Sequence, residues 1–183
     1  MNKQHIVIVG FMGTGKTTVA QELGLKLNRL VVDLDELIAR QHGRSPNEII
    51  IQDGESKFRE IENRILGTVL AEEPSRIIAV GGGAWTNAEN RKLIAAHAAF
   101  TVWLDAPFEL CWERIKAGSE ARPLAPSRET AERLYEERRP VYELADLRIA
   151  VTEGESAAEI AMKIANEVLR LNAERQSNRL RES

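Results

Sequence analysis

The chain has 183 residues, 43% of them apolar and 29% charged, and a formal net charge of −3. That length suits one α/β domain with a substantial core, and the slight acidity leaves no basic field to draw in nucleic acid, so any anionic ligand must be held by local basic groups. The one cysteine, Cys111, excludes an internal disulfide and fits a reducing compartment; with no apolar run of about 18 residues and a strand pattern opening close to Met1, a soluble cytoplasmic protein without membrane contact is predicted.

The first apolar run, residues 5–10, reads as a buried strand. It leads into Gly10-Phe11-Met12-Gly13-Thr14-Gly15-Lys16-Thr17, the pattern G-x-x-x-x-G-K-[ST]. Val19, Leu23 and Leu27 follow at helical spacing, so the motif has the strand–loop–helix context that a phosphate-binding loop requires. Its glycines let backbone N–H groups approach phosphate oxygens, and the helix starting near Gly15 points its positive end at the same anion. Lys16 is suited to the β- and γ-phosphates of a nucleotide and Thr17 to Mg²⁺. The ATP-binding set is Gly13, Thr14, Gly15, Lys16, Thr17 and Thr18, with Arg122 from a later loop.

A second strand pattern, Arg29–Asp33, runs into Asp33-Leu34-Asp35. Both carboxylates fall at the C-terminal end of a strand, where open α/β sheets place their ligands. Alternation puts them on one side if the strand extends that far. One can hold Mg²⁺ through water and the other can orient and deprotonate a substrate hydroxyl; alternatively, Asp35 only caps the helix Glu36–Gln41. A long helix opens in Asp53–Glu62, with Ile61, Ile65, Val69 and Leu70 on its core face. Arg59, at the edge of that face, can grip a carboxylate bidentately with Glu62 holding it at i+3, or the two form an ordinary surface pair. The third strand pattern, Arg76–Val80, ends in Gly81-Gly82-Gly83, which suits either a closely approaching ligand or a tight turn. No aspartate ends this strand, so a metal carboxylate must come from elsewhere, which points to Asp33.

Trp85 directly follows the glycines and is either core or a wall of a site. Trp103, in the fourth strand pattern Phe100–Leu104, and Trp112, on the helix Phe108–Lys116, read as packing, and Cys111 as a small buried apolar residue. His5, His42 and His97 show no ligand spacing. Residues 117–127 form a poorly periodic loop in which Arg122 either swings over bound ATP or stays solvated. The helix Glu129–Arg139 is then interrupted by Arg138-Arg139-Pro140. A fifth strand pattern, Leu147–Val151, precedes a final helix over Glu155–Ser183 with Ile160, Ile164, Val168 and Leu171 on its buried stripe; beyond Leu171 the polar end of that helix is expected to fray. Alternating strand and helix patterns predict a parallel sheet covered on both faces, with right-handed crossovers.

Taken together, G-x-x-x-x-G-K-T at 10–17, D-x-D at 33–35, G-E-x-x-F-R-x-x-E at 54–62, G-G-G at 81–83, R-P-L at 122–124 and R-x-P-x-Y at 138–142 resemble the shikimate kinase family over residues 4 to 170. The resemblance implies a nucleoside-monophosphate-kinase-like P-loop fold, a three-layer sandwich around five parallel strands in the order 2-3-1-4-5. It implies one kinase domain over 1–172 with a substrate-binding region at 34–62, a lid at 114–126 and a tail at 173–183. It also implies transfer of the ATP γ-phosphoryl to the 3-hydroxyl of shikimate with Mg²⁺; a monomer is expected. In those terms Asp35 contacts the acceptor hydroxyls and acts as base, Arg59 and Arg138 hold its carboxylate, Gly81 and Gly82 lie against its ring, Arg122 is the lid arginine, and Asp33 joins Thr17 at the metal. Arg114 falls near the adenine, across a spacing one residue longer than the family's. Leu34, Pro46, Ile50, Ala125, the stretch Thr152–Glu155 and the bulk of Trp85 depart from the family pattern, which bears on pocket shape more than on chemistry. A kinase for another hydroxy acid, aminoshikimate- or gluconate-like, and a non-catalytic nucleotide or shikimate sensor are the competing readings.

Overall fold

The computed structural model describes residues 4–72, 74–118 and 124–181, with side chains left aside at 172 and beyond 174. Five strands form one parallel sheet in the order β2-β3-β1-β4-β5: β1 (Ile6–Val9), β2 (Val31–Asp33), β3 (Ile77–Ala79), β4 (Phe100–Asp105) and β5 (Leu147–Ala150). The three inner strands are buried at every position. Helices cover both faces of such a sheet, so inner strands read as unbroken apolar runs. The edge strands are partly exposed and shorter than the sequence patterns. Registers such as Ile6 opposite Ile77 and Phe100 bring all five C-terminal ends to one side.

The helices are α1 (Lys16–Leu27), α2 (Leu34–His42), α3 (Pro46–Asp53), α4 (Glu55–Ala71), α5 (Ala88–Ala96), α6 (Phe108–Ala117), α7 (Arg128–Tyr142) and α8 (Ala157–Arg181). No described helix is long and apolar enough to cross a membrane. The helices α3 and α5 have no counterpart among the segments named from the sequence. Ser45 and Glu48 build a reciprocal capping box that starts α3 just before Pro46. Gly54, at φ 90°, then separates α3 from α4.

One expectation fails. Pro140 does not interrupt its helix: α7 runs through it to Tyr142. The proline lies in the last turn, where its missing N–H leaves only the Glu136 carbonyl without its helical donor. The turn around it is anchored by Arg139 on Asp105 (3.0 Å), by Tyr142 stacked on Trp103, and by the bond from Glu143 N–H to Arg139 O (3.3 Å). The last helix, α8, runs from Ala157 to Arg181, close to the Glu155–Ser183 helix read from the sequence.

Candidate active site

The phosphate loop sits at the C-terminal end of β1. Gly10, Gly13 and Gly15 all have positive φ (143°, 80° and 89°). A Cβ on Gly10 would lie 2.7 Å from Leu104 O, and one on Gly13 2.6 Å from Cys111 O, so neighbouring backbone demands glycine as much as conformation does. Gly15 is the N-cap of α1 and makes no side-chain cap, so the first N–H groups of the helix face the cleft. Lys16 Nζ donates to Phe11 O (2.8 Å), which folds the ammonium over the loop. Arg114, from α6, donates to Gly13 O (3.2 Å) and buttresses the loop. Thr14 is turned inward: it is buried, and its hydroxyl donates to Phe11 O at 2.9 Å, so its backbone rather than its side chain is offered to a ligand.

The two aspartates do not share a strand face. β2 ends at Asp33, which is itself the N-cap of α2, its Oδ1 accepting from Glu36 N–H at 3.1 Å. Its other oxygen accepts from the Thr17 hydroxyl at 2.5 Å. The capping role thus belongs to Asp33, and Asp35 lies in the first turn of α2 with its carboxylate over the glycine turn. A Cβ on Gly81 would meet Asp35 Oδ1 at 3.0 Å.

Two adjoining cavities meet at Asp35. The larger, about 450 Å³, is lined by Gly13, Gly15, Lys16, Thr17, Thr18 and Asp33 as well as Asp35. The smaller, about 90 Å³, holds Arg59, Glu62 and Arg138, with Met12, Asn47 and Ile50 closing it; Asp35, Gly81 and Gly82 line both. Arg59 spans two carboxylates, with Nη1 on Glu62 (2.9 and 3.1 Å) and Nη2 on Glu55 (3.0 Å). Burial works against its charge, but Glu62 and Glu55 outweigh this and hold the guanidinium protonated more firmly than usual. Glu62 is fully buried, and burial pushes its carboxyl above the usual range while Arg59 pulls it back. The sequence left an ordinary surface pair open; burial of Glu62 excludes it. From α7, the buried Arg138 completes the basic wall.

The triple glycine has a steric cause. None of the three residues has positive φ. A Cβ on Gly82 would lie 3.1 Å from Met12 N, in the phosphate loop, and one on Gly83 only 2.3 Å from Arg59 Nη2. Tyr142 donates to Gly82 O at 2.5 Å and fixes the turn from behind. Burial pushes the Tyr142 phenol far up, against the pull of Arg138. Trp85 is not a wall of the site. It is 5% exposed, and its indole N–H donates to Val141 O at 2.8 Å beneath the turn.

Of the residues singled out from the sequence, Gly13, Gly15, Lys16, Thr17, Thr18, Asp33, Asp35, Arg59, Gly81, Gly82 and Arg138 converge on these cavities. Arg122 lies outside the described residues. The sequence reading did not single out Asn90 or the role of Tyr142; the tyrosine has a signal in R-x-P-x-Y, whereas a lone asparagine on a short helix has none.

A phosphate loop beside an arginine-lined pocket, joined to it through one carboxylate at the C-terminal edge of a 2-3-1-4-5 sheet, defines a P-loop small-molecule kinase. The family model described as shikimate kinase matches residues 12–169. A shikimate kinase of Persephonella marina is 34% identical over 90% of this chain and 99% of its own length, and one of Nostoc punctiforme is 39% identical over 87% and 88%. A solved shikimate kinase of Acinetobacter baumannii, in complex with shikimate, superposes with a TM-score of 0.84 at 33% identity, covering 91% of this chain and 93% of that one. The chain belongs to the shikimate kinase family.

Proposed function

We propose that the protein transfers the γ-phosphoryl group of ATP to the 3-hydroxyl of shikimate, giving ADP and shikimate 3-phosphate. The observation that carries this reading is Asp35, which lines both the phosphate-loop cavity and the arginine-walled one. A group held there faces the donor on one side and the acceptor on the other.

Arg59 and Arg138 are complementary to the acceptor carboxylate, and the Gly81–Gly82 backbone lines the cavity its ring would occupy. Asp35 aligns the hydroxyl and accepts its proton as the oxygen bonds to the γ-phosphorus and the bond to the bridging β–γ oxygen breaks. Lys16 leaves its perch on Phe11 O for the β- and γ-phosphates, and the N–H groups at the start of α1 neutralise the rest. Catalysis is then mostly positioning and charge compensation. Arg122, in the segment read as a lid, adds positive charge over the nucleotide.

Thr17 Oγ1 and Asp33 Oδ2 converge at the mouth of the loop as hard oxygen donors, which fits Mg²⁺. Bound there with the nucleotide, the ion would neutralise charge on the phosphate oxygens. Each chain carries both halves of the site, so a monomer suffices. The test is an ADP-release assay with shikimate, an aminoshikimate and gluconate as acceptors. Turnover on shikimate with formation of its 3-phosphate is expected; turnover on another acid with none on shikimate overturns the reading, as does ATP binding without transfer to any acceptor.

A further inference from the structure

Behind the acceptor pocket lies a buried polar chain that no substrate contact requires. Asn90, in the first turn of α5, is 0% exposed, and both ends of its amide are engaged. Its Nδ2 donates to Glu62 Oε2 (3.3 Å) and to Ala84 O (3.0 Å), and its Oδ1 accepts from Asn63 Nδ2 (2.8 Å). The orientation of the amide is forced, because a main-chain carbonyl and a carboxylate both call for a donor.

These partners sit on the two walls of the pocket. Glu62 and Asn63 belong to α4, where Glu62 grips Arg59; Ala84 directly follows the glycines. The two walls already stand at their limit of approach, with the missing Cβ of Gly83 leaving the space that Arg59 Nη2 fills. Any slide of α4 relative to the glycine turn therefore moves the Arg59 guanidinium against Gly83 or away from the pocket. Asn90 bonds to both walls, and it supplies Glu62 with a neutral donor beside the Arg59 pair. A buried carboxylate with fewer donors reorients or takes up a proton, and either change loosens the guanidinium it holds.

We infer that Asn90 is a positioning residue for the acceptor: it fixes Glu62, and through it Arg59, at the distance from Gly81–Gly83 that the acceptor carboxylate requires. The inference rests on the reading of Arg59 as a carboxylate contact. Asn90 lines neither cavity, so its effect is confined to acceptor binding and is transmitted through one side chain.

The test is a double-mutant cycle of Asn90→Ala with Arg59→Ala, read as the shikimate KM, ATP KM and kcat of each variant. Asn90→Ala is expected to raise the shikimate KM about tenfold, the scale of one charge-assisted hydrogen bond, while ATP KM and kcat stay within about twofold. In the Arg59→Ala background the same change is expected to add less than about twofold, because the side chain it positions is gone. An unchanged shikimate KM, an equal rise in ATP KM, or effects that multiply independently would overturn the inference. If Arg59→Ala alone leaves the shikimate KM unaltered, the acceptor reading itself falls and takes this inference with it. Should Asn90→Ala fail to fold, Asn63→Ala, which unties the amide oxygen from the half-buried side, is carried through the same cycle. A rise of about threefold in shikimate KM alone supports the inference there, on the scale of a neutral hydrogen bond, and no rise overturns it.

Discussion

Gly83→Ala tests the acceptor pocket with a single methyl group. The Gly83 backbone does not have positive φ, so alanine meets no conformational barrier, and loss of glycine entropy from the unfolded chain is mildly stabilising. What the methyl meets is Arg59. The added carbon would lie 2.3 Å from Nη2, 2.9 Å from Cζ and 3.0 Å from Nη1, and reaching the 3.4 Å of ordinary contact requires a retreat of 1.1 Å. The guanidinium is the free end of a flexible side chain and can swing aside, but doing so loosens its bonds to Glu62 and Glu55. Losing a charge-assisted pair to the acceptor carboxylate corresponds to ~1.5–3 kcal/mol, or about a 10- to 150-fold rise in shikimate KM. ATP KM is expected to stay unchanged, since the atoms nearest the added methyl belong to Arg59 and none to the phosphate loop. Initial rates against shikimate at saturating ATP, with a thermal melt to verify folding, give the answer. A shikimate KM within about twofold of the parent, in a variant with unaltered Tm, would refute the placement of Arg59 against the acceptor.

Asp35→Asn should lower kcat by ~10²–10⁴-fold while ATP still binds; near-normal turnover would remove Asp35 as proton acceptor. Lys16→Ala should abolish ATP turnover with little change in Tm, as measured by ADP release, and retained turnover would contradict its role at the phosphates. Burial pushes the Cys111 thiol up to about 11, against 9.0 for an ordinary thiol. Because the unfolded chain gives up that proton first, the contribution is whole below pH 9 and falls away by ~2–3 kcal/mol as pH climbs to about 11. In urea melts at pH 8 and pH 10.5, Cys111→Ala should show a smaller alkaline decline than the parent, and equal declines would count against the assignment. Trp85→Phe should leave kinetics intact but lower Tm by about 2–4 °C, because Val141 O loses its donor and one such bond is worth ~1 kcal/mol; a raised shikimate KM with unchanged Tm would return Trp85 to the site.

What could be read from the residues divides along the range of the interactions. The phosphate loop is legible because its eight residues are contiguous and each answers to the same anion. The inner strands are legible because burial on both faces keeps them almost wholly apolar, with Thr101 and the terminal Asp105 the polar residues of β4, whereas β2 and β5, half exposed at the edges, blur at their ends. The order of the sheet came through the resemblance to a family, not through periodicity. Alternation along Asp33-Leu34-Asp35 misleads because the strand stops at the first carboxylate, and nothing in that tripeptide marks the stop. Pro140 reads as a break by propensity, but contacts to β4 and the glycine turn hold the last turn of α7 in place. The triple glycine suggests an exposed backbone; its cause is three different neighbours, each far away in sequence. Asn90 had no signal, because Glu62 lies 28 residues before it.

Arg138 and Arg139 are neighbours in the chain, yet one lines the acceptor cavity and the other is tied to Asp105 and stacked over Trp103. Consecutive residues on a helix differ by about 100° in direction, so which arginine faces which way depends only on where counting begins, and Ser127 sets that origin as the N-cap of α7. Adding or deleting a single residue between Ser127 and Arg138 would rotate both cations off their targets, and no side-chain rearrangement could restore them. Length variation among natural or engineered relatives should therefore be rejected between Ser127 and Arg138. That makes this stretch of α7 a ruler whose length, rather than whose composition, is under constraint.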